Sequence, residues 1–285
     1  MITPLTDRQL REIEYHRKRA DQFREIIDKP ISWLVLENPS VRWWNSAWQM
    51  FHHLKKCDIQ GKKGLVIGCG FGDDALFAAK MGACVSAFDI SPESLEIAKL
   101  RAKKFQLEID FRESPAERTP FPSGFFDVVL ARDIIHHIEI ELAMKEVCRI
   151  SKPDAVFIAS EIYTHTLLEK FRRTKLVDKF LYPRMRKFIY RNPIEDYTTE
   201  DEEKLTQEDV RVLQSYLKPG GTTQYFNFLI ARIVPKGSPW IAKMDRLFLK
   251  LVGPVGALLA GRVLLCSRLS SNTPASAGVS TREFV

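Results

Sequence analysis

The stretch from position 64 to 74, Gly-Leu-Val-Ile-Gly-Cys-Gly-Phe-Gly-Asp-Asp, constrains this chain more than any other. It joins a short apolar run to three glycines spaced two apart, and then to a helix-forming segment. Glycine reaches positive φ at no steric cost and has no Cβ to hold a ligand away. Gly68, Gly70 and Gly72 at a strand end therefore read as a turn that lets the backbone approach a nucleotide-like cofactor. The spacing argues against two better-known glycine turns. A dinucleotide fingerprint requires glycine at position 73, where the chain has Asp73, and a P-loop requires a closing Gly-Lys-Ser/Thr that is missing.

Regular alternation surrounds this turn. Strands are expected at 63–67, 83–88 (running into Asp89), 107–111, 126–131 and 155–160, with helices at 73–81 and 139–150. Another helix starts after Ser91, which can cap it, with Pro92 at its first position and Glu93 near its positive end. Strands that alternate with helices imply a parallel sheet covered on both faces, an α/β Rossmann-like fold. Ahead of it, Thr6 caps a helix running to about position 27, with Leu10, Ile13, Phe23 and Ile27 roughly on one face. A second helix at 41–55 is rich in aromatic residues.

After Glu161 the alternation stops. The stretch 167–191 is strongly basic and is followed by an acidic one at 195–209; two late strands, 224–233 and 262–267, flank a helix at 240–251. The resulting division is a helical lid at 1–60, a cofactor-binding core at 61–161, a basic and acidic insertion at 162–221, closing strands with an apolar helix at 222–269, and a disordered tail at 270–285.

At 285 residues and 45% hydrophobic content the chain suits one large domain with elaborations or two small ones. Its net charge of +7 favours an anionic partner. Five cysteines without a CxxC pair point to free thiols in a reducing compartment, and no metal site is expected. Acidic residues at the N-terminus do not read as a secretory signal, and the apolar stretch at 250–262 is too short to span a bilayer. A cytoplasmic location follows, with peripheral membrane association left open.

With Asp89 about twenty residues beyond the glycines, the chain resembles a class I S-adenosylmethionine-dependent methyltransferase with a type 11-like core. The resemblance covers roughly 62–160. It is carried by Val-Ile-Gly-Cys-Gly-Phe-Gly, Ala-Phe-Asp-Ile-Ser-Pro-Glu-Ser-Leu, Ser-Pro-Ala-Glu, Pro-Phe-Pro, Phe-Phe-Asp-Val-Val, Ile-His-His-Ile and Ser-Lys-Pro, in that order. It implies a seven-stranded sheet whose last strand is antiparallel, and S-adenosylmethionine as the cofactor. Gly68, Cys69, Gly70, Phe71 and Gly72 would form the cradle for its methionine part, and Asp89 would accept from both ribose hydroxyls. Ile90 would pack on the adenine, Ala116 and Glu117 would sit at its edge, and Ala131 and Arg132 would lie near the methionine carbons. One departure stands out: such families usually carry an acidic residue where this chain has Val66, and that carboxylate helps hold the cofactor's ammonium group. Asp73 or Asp74 is a candidate substitute.

Methyl transfer to a hydroxyl benefits from a base. His136 and His137 follow the fourth strand and either could take a proton, or both could instead pack or cap the next helix. Glu161, Tyr163 and His165 just beyond the fifth strand are candidates for acceptor contact, as are Tyr15 and His16 on the first helix. Aromatic residues within the basic insertion admit nucleic acid or an anionic membrane surface, and together with Trp240, Leu247 and Phe248 they favour a greasy acceptor. The expected activity is methyl transfer to a small-molecule or lipid-like acceptor. An RNA or protein methyltransferase and an inactive methyltransferase-fold module are the alternatives, and nucleic acid is disfavoured because no RNA-binding motif is present.

Overall fold

Short apolar strands separated by capped helices can pair in parallel only through crossovers, and the chain between 63 and 162 does this repeatedly. The computed structural model describes residues 5–38, 42, 44–165, 174, 204–227, 239–253 and 256–270. Its strands are β1 (Lys63–Ile67), β2 (Cys84–Asp89), β3 (Ile109–Glu113), β4 (Phe126–Arg132), β5 (Ser151–Ile162), β6 (Thr222–Phe226) and β7 (Arg262–Arg268). They form one seven-stranded sheet in the order β3-β2-β1-β4-β5-β7-β6. The first five run parallel to one another, while β7 runs antiparallel to both β5 and β6. The expected Rossmann-like class and antiparallel closing strand are both present.

The helices are α1 (Asp7–Gln22), α2 (Leu34–Glu37), α3 (Ser46–Leu54), α4 (Asp73–Lys80), α5 (Pro92–Lys104), α6 (Ile140–Ile150), α7 (Gln207–Ser215), α8 (Pro239–Leu251) and α9 (Gly256–Leu259). Strand alternation splits the core into two layers. Leu65, Ile67, Val129 and Ala131 face α6 and α7, whereas Val66, Val128 and Leu130 face α3, α4 and α5. Fully burying residues such as Leu65, Phe126 and Phe157 contributes roughly 1.5–3 kcal/mol each. Val66 is thus part of an apolar layer, only 2% exposed.

Several boundaries differ from the sequence-based expectation for local reasons. α3 begins at Ser46, not 41, because Asn45 caps it by accepting from the Ala47 and Trp48 amides. β3 starts two residues late because Gln106, at φ 55°, turns the chain off α5 while the Leu107 amide bonds back to Ala102. β6 ends at Phe226, since Asn227 takes φ 59°. α7 lies at the end of the acidic stretch, opened by a capping box between Thr206 and Asp209. Most of the basic and acidic insertion, the later half of the strand expected at 224–233, and the tail from 271 lie outside the described residues.

Candidate active site

The order of strands reverses between β1 and β4, so their carboxyl ends lie side by side and the loops beyond them diverge. In open α/β sheets such a point is where a crevice forms. Here it is a cavity of about 400 Å³, within the size range of small-ligand sites.

The glycine turn forms one wall, and its three glycines meet different demands. A Cβ at Gly68 would come within 2.4 Å of the Ile134 side chain, and one at Gly72 within 3.0 Å of Ala98. Gly70, at φ 50°, has nothing within 4 Å of that position, so its place in the turn leaves space for a ligand. The Gly70 amide donates to Asp89 Oδ2 at 2.8 Å and the Ser91 amide to Asp89 Oδ1 at 3.0 Å. An ionised carboxylate offers about four acceptor positions, so each Asp89 oxygen can accept a further hydrogen bond.

At the floor lies a row of ionic groups. Arg132 Nε donates to Asp74 Oδ2 at 2.8 Å, and its Nη1 is 3.7 Å from Asp133, which pairs in turn with Arg262 of β7. Burial opposes the charge on Arg132, but Asp74, Asp133 and Asp73 overcome it and hold the guanidinium above its ordinary value. Burial also pushes the Asp74 carboxyl up, with Arg132 offsetting only part of the effect. For Asp133, the two arginines outweigh burial and hold it below the usual carboxylate range. Asp133 has φ 54°, an uncommon conformation for a residue with a side chain.

Two imidazole–carboxylate pairs form the opposite side. His136 Nδ1 lies 2.8 Å from Glu161 Oε2, and both side chains are almost fully buried. Glu161 Oε1 accepts from the Ile134 and Ile135 amides at 2.8 Å each. Glu161 thus ties the loop backbone beyond β4 to the His136 ring. His137 Nδ1 lies 3.0 Å from Glu12 Oε1, and His16 Nε2 lies 3.6 Å from Glu12 Oε2. The rings of His136 and His137 are 4.0 Å apart, close enough that a charge on one disfavours a charge on the other. Burial pulls His16 below its ordinary value, against the pull of Asp89 and Glu12.

Glu12 belongs to α1, which lines the cavity with Gln9, Tyr15, His16 and Arg19 as well. Its sixteen residues start from a capping box between Thr6 and Gln9. Arg8 donates to the His136 carbonyl at 2.7 Å, and Gln9 to Glu117 Oε2 at 3.1 Å. The first helix thereby holds both histidines and the loop beyond β3.

Of the residues expected from sequence, Gly68, Cys69, Gly70, Phe71, Asp89, Ile90, Ala116, Glu117, Arg132, His136 and His137 all line this cavity, with Tyr15 and His16. Gly72 serves the packing of α4, and Ala131 is wholly within the core. Tyr163 is not in the lining: it is fully buried against Tyr225, and burial pushes its phenol above the ordinary value. His165 also lies away from it, 3.2 Å from Gln207 of α7. Cys69 is a buried thiol held well above its ordinary value by burial and by Asp89. Glu12, Asp133 and Arg262 went unread in the sequence. Their partners are 125, 129 and 129 positions away, and no local pattern marks them.

Residues 65–159 match the family model of a methyltransferase domain. A curated relative, the ubiquinone biosynthesis O-methyltransferase of Actinobacillus pleuropneumoniae serotype 5b, is 30% identical over 144 residues, which is 44% of this chain and 62% of the relative. The chain thus spans less than two thirds of that protein's length. Among solved structures, the geranyl diphosphate C-methyltransferase of Streptomyces coelicolor A3(2), in complex with Mg2+, geranyl-S-thiolodiphosphate and S-adenosyl-L-homocysteine, superimposes with a TM-score of 0.57. It is 13% identical, over 93% of this chain and 99% of that one. The [4+2]-cyclase SpnF gives 0.51 at 18% identity, over 80% and 83%. Both likenesses concern the fold, and the second warns that this fold also carries other reactions. Residues 65–159 are thus similar to a methyltransferase domain, and that stretch carries the glycine turn, the acidic end of β2 and the central strands of the sheet.

Proposed function

We propose that this chain is an S-adenosylmethionine-dependent methyltransferase that methylates a hydroxyl of a small acceptor. The observation that carries this reading is the clamp on His137: its Nδ1 bonded to Glu12 at the cavity wall, opposite the glycine turn. The cofactor fits the residues present: among the described residues there is open space at Gly70, acceptor capacity at Asp89 and a buried oxygen on Asp74 with no hydrogen-bond partner. When bound, it supplies a methyl group on a sulfonium, so displacement needs chiefly an aligned nucleophile and exclusion of water.

The chain's own groups do the rest. Asp89 holds the ribose, Ile90 and Ala116 form the adenine walls, and the backbone from Gly68 to Phe71 carries the methionine part. Glu12 accepts from Nδ1 and fixes the His137 tautomer, which leaves Nε2 unprotonated and ready to take the acceptor's proton as its oxygen attacks. His136, held by Glu161, supports the ring beside it. The 1–60 segment acts through α1 as a lid over the 61–161 core and keeps water out. The test is incubation with methyl-labelled S-adenosylmethionine and separate panels of phenols, amines, isoprenoid lipids and RNA. Label in methyl ethers is expected; label confined to amines or RNA contradicts the reading.

The acceptor is lipid-like on a second observation. α8 exposes Trp240, Met244, Leu247 and Leu251 along one face, flanked by Lys243, Arg246 and Lys250. An apolar stripe beside basic residues suits an anionic lipid surface, from which a greasy acceptor would be drawn. Among the described residues no helix is long and apolar enough to cross a membrane. Co-sedimentation with vesicles containing phosphatidylserine should weaken strongly in a Trp240→Ser/Leu251→Ser variant; no binding by the unaltered protein contradicts this surface.

A further inference from the structure

Val66, where the resemblance implies an acidic residue, is sealed in an apolar layer at 2% exposure. An α-amino-acid end still has to be held in any S-adenosylmethionine site, and an ammonium buried without a counter-charge is strongly disfavoured. The other carboxylates around the cavity are engaged. Asp73 is 46% exposed at its side chain and turned to Arg101 Nη2 at 2.6 Å. Asp133 pairs with Arg262, Glu161 with His136 and two amides, Glu117 with Gln9 and the Glu139 amide, Glu12 with His137 and His16, and Asp89 with the Gly70 and Ser91 amides.

Asp74 differs. Its side chain is 9% exposed and lines the cavity, Oδ2 takes Arg132 Nε, and Oδ1 is buried with no hydrogen-bond partner among the described residues. A buried carboxylate oxygen left unpaired is costly, and a bound donor would recover that cost. Arg132 stands beside it, with Nε committed to Asp74 and further N–H groups still able to donate. The two side chains therefore present a carboxylate and a guanidinium together, the charge complement of a zwitterion.

We infer that the Asp74–Arg132 ion pair is the docking site for the amino-acid end of the cofactor: Asp74 Oδ1 accepts from the ammonium, and Arg132 donates to the carboxylate. The role usually filled from β1 has moved to the first turn of α4, with a partner from the end of β4. The inference rests on the cofactor reading given above and adds how this chain meets the loss of the acidic residue at position 66.

Titration calorimetry with two ligands tests it. S-adenosylhomocysteine carries the amino-acid end and 5′-methylthioadenosine lacks it, while both keep the adenosine. Asp74→Asn and Arg132→Gln should each weaken S-adenosylhomocysteine about ten- to a hundredfold, and should leave 5′-methylthioadenosine unchanged. Asp73→Asn should alter neither. Unchanged binding of the second ligand also shows that each variant folds. If Asp74→Asn binds S-adenosylhomocysteine as the unaltered protein does, or weakens both ligands equally, the pair is only structural and the assignment falls. If the unaltered protein binds neither ligand, the cofactor reading itself falls, and this inference with it.

Discussion

The two ends of the cavity are built in different ways. The end at β1, β2 and α4 is made by the sheet: Gly68 is packed on Ile134, Asp89 is tied to the turn by the Gly70 amide, and Asp74 reaches Arg132 in the adjacent strand. The end at α1 is made by a surface helix, attached through Arg8, Gln9 and Glu12 to residues more than a hundred positions away. The sheet-built end has the rigidity that binding requires. The helix-built end rests on polar contacts to the loops beyond β3 and β4 and on the packing of α1 against α5.

If this contrast is right, damage at one end should leave the other's function standing. The largest effect is expected for His137→Asn, which removes the base we propose and should lower kcat about 10²- to 10⁴-fold while S-adenosylhomocysteine affinity stays the same; a parallel loss of affinity would erase the distinction. Asp89→Ala should act in the opposite manner. It strips acceptors from the ribose and from the Gly70 amide, so calorimetry should show affinity weakened about a hundredfold.

Glu12→Gln tests whether the helix does more than cover the cavity. The amide cannot fix the His137 tautomer as the carboxylate does, so kcat should fall about tenfold and its pH profile should shift, again without change in affinity. An unaltered pH profile would reduce Glu12 to a packing residue. The smallest effect concerns stability. Burial holds His16, His52 and His53 below the ordinary 6.5, so the folded chain binds fewer protons than the unfolded one as pH falls below that value. Thermal stability should therefore decline with acidification from about pH 7, and His16→Gln should flatten part of that slope. A melting temperature equally steep in both proteins would place His16 outside the linkage.

The same contrast decides what could be read from sequence. Strand β1, the glycine turn, Asp89 and the cap at Ser91 are specified by neighbours within a few positions, and the structure has each of them where local pattern puts it. Val66 was legible as a departure, yet the choice between Asp73 and Asp74 depended on Arg101 and Arg132, which the fold brings in from elsewhere. Glu12 reads in sequence as one more charge on a polar helix and becomes informative only when α1 is laid against His137. Tyr163 shows the reverse error: it follows β5 closely enough to suggest contact with the crevice, but it continues the sheet by bridging Leu205 and is buried in the core beside Tyr225. The helix α7 had a readable start in Thr206 and Asp209, masked by the acidity of the residues before it.

Calorimetric titration of S-adenosylhomocysteine into the unaltered protein tests the central claim most directly, because it requires the sheet-built end alone and no knowledge of the acceptor. A single saturable site with a dissociation constant on the order of micromolar is predicted, whereas no heat of binding at millimolar ligand would contradict the account.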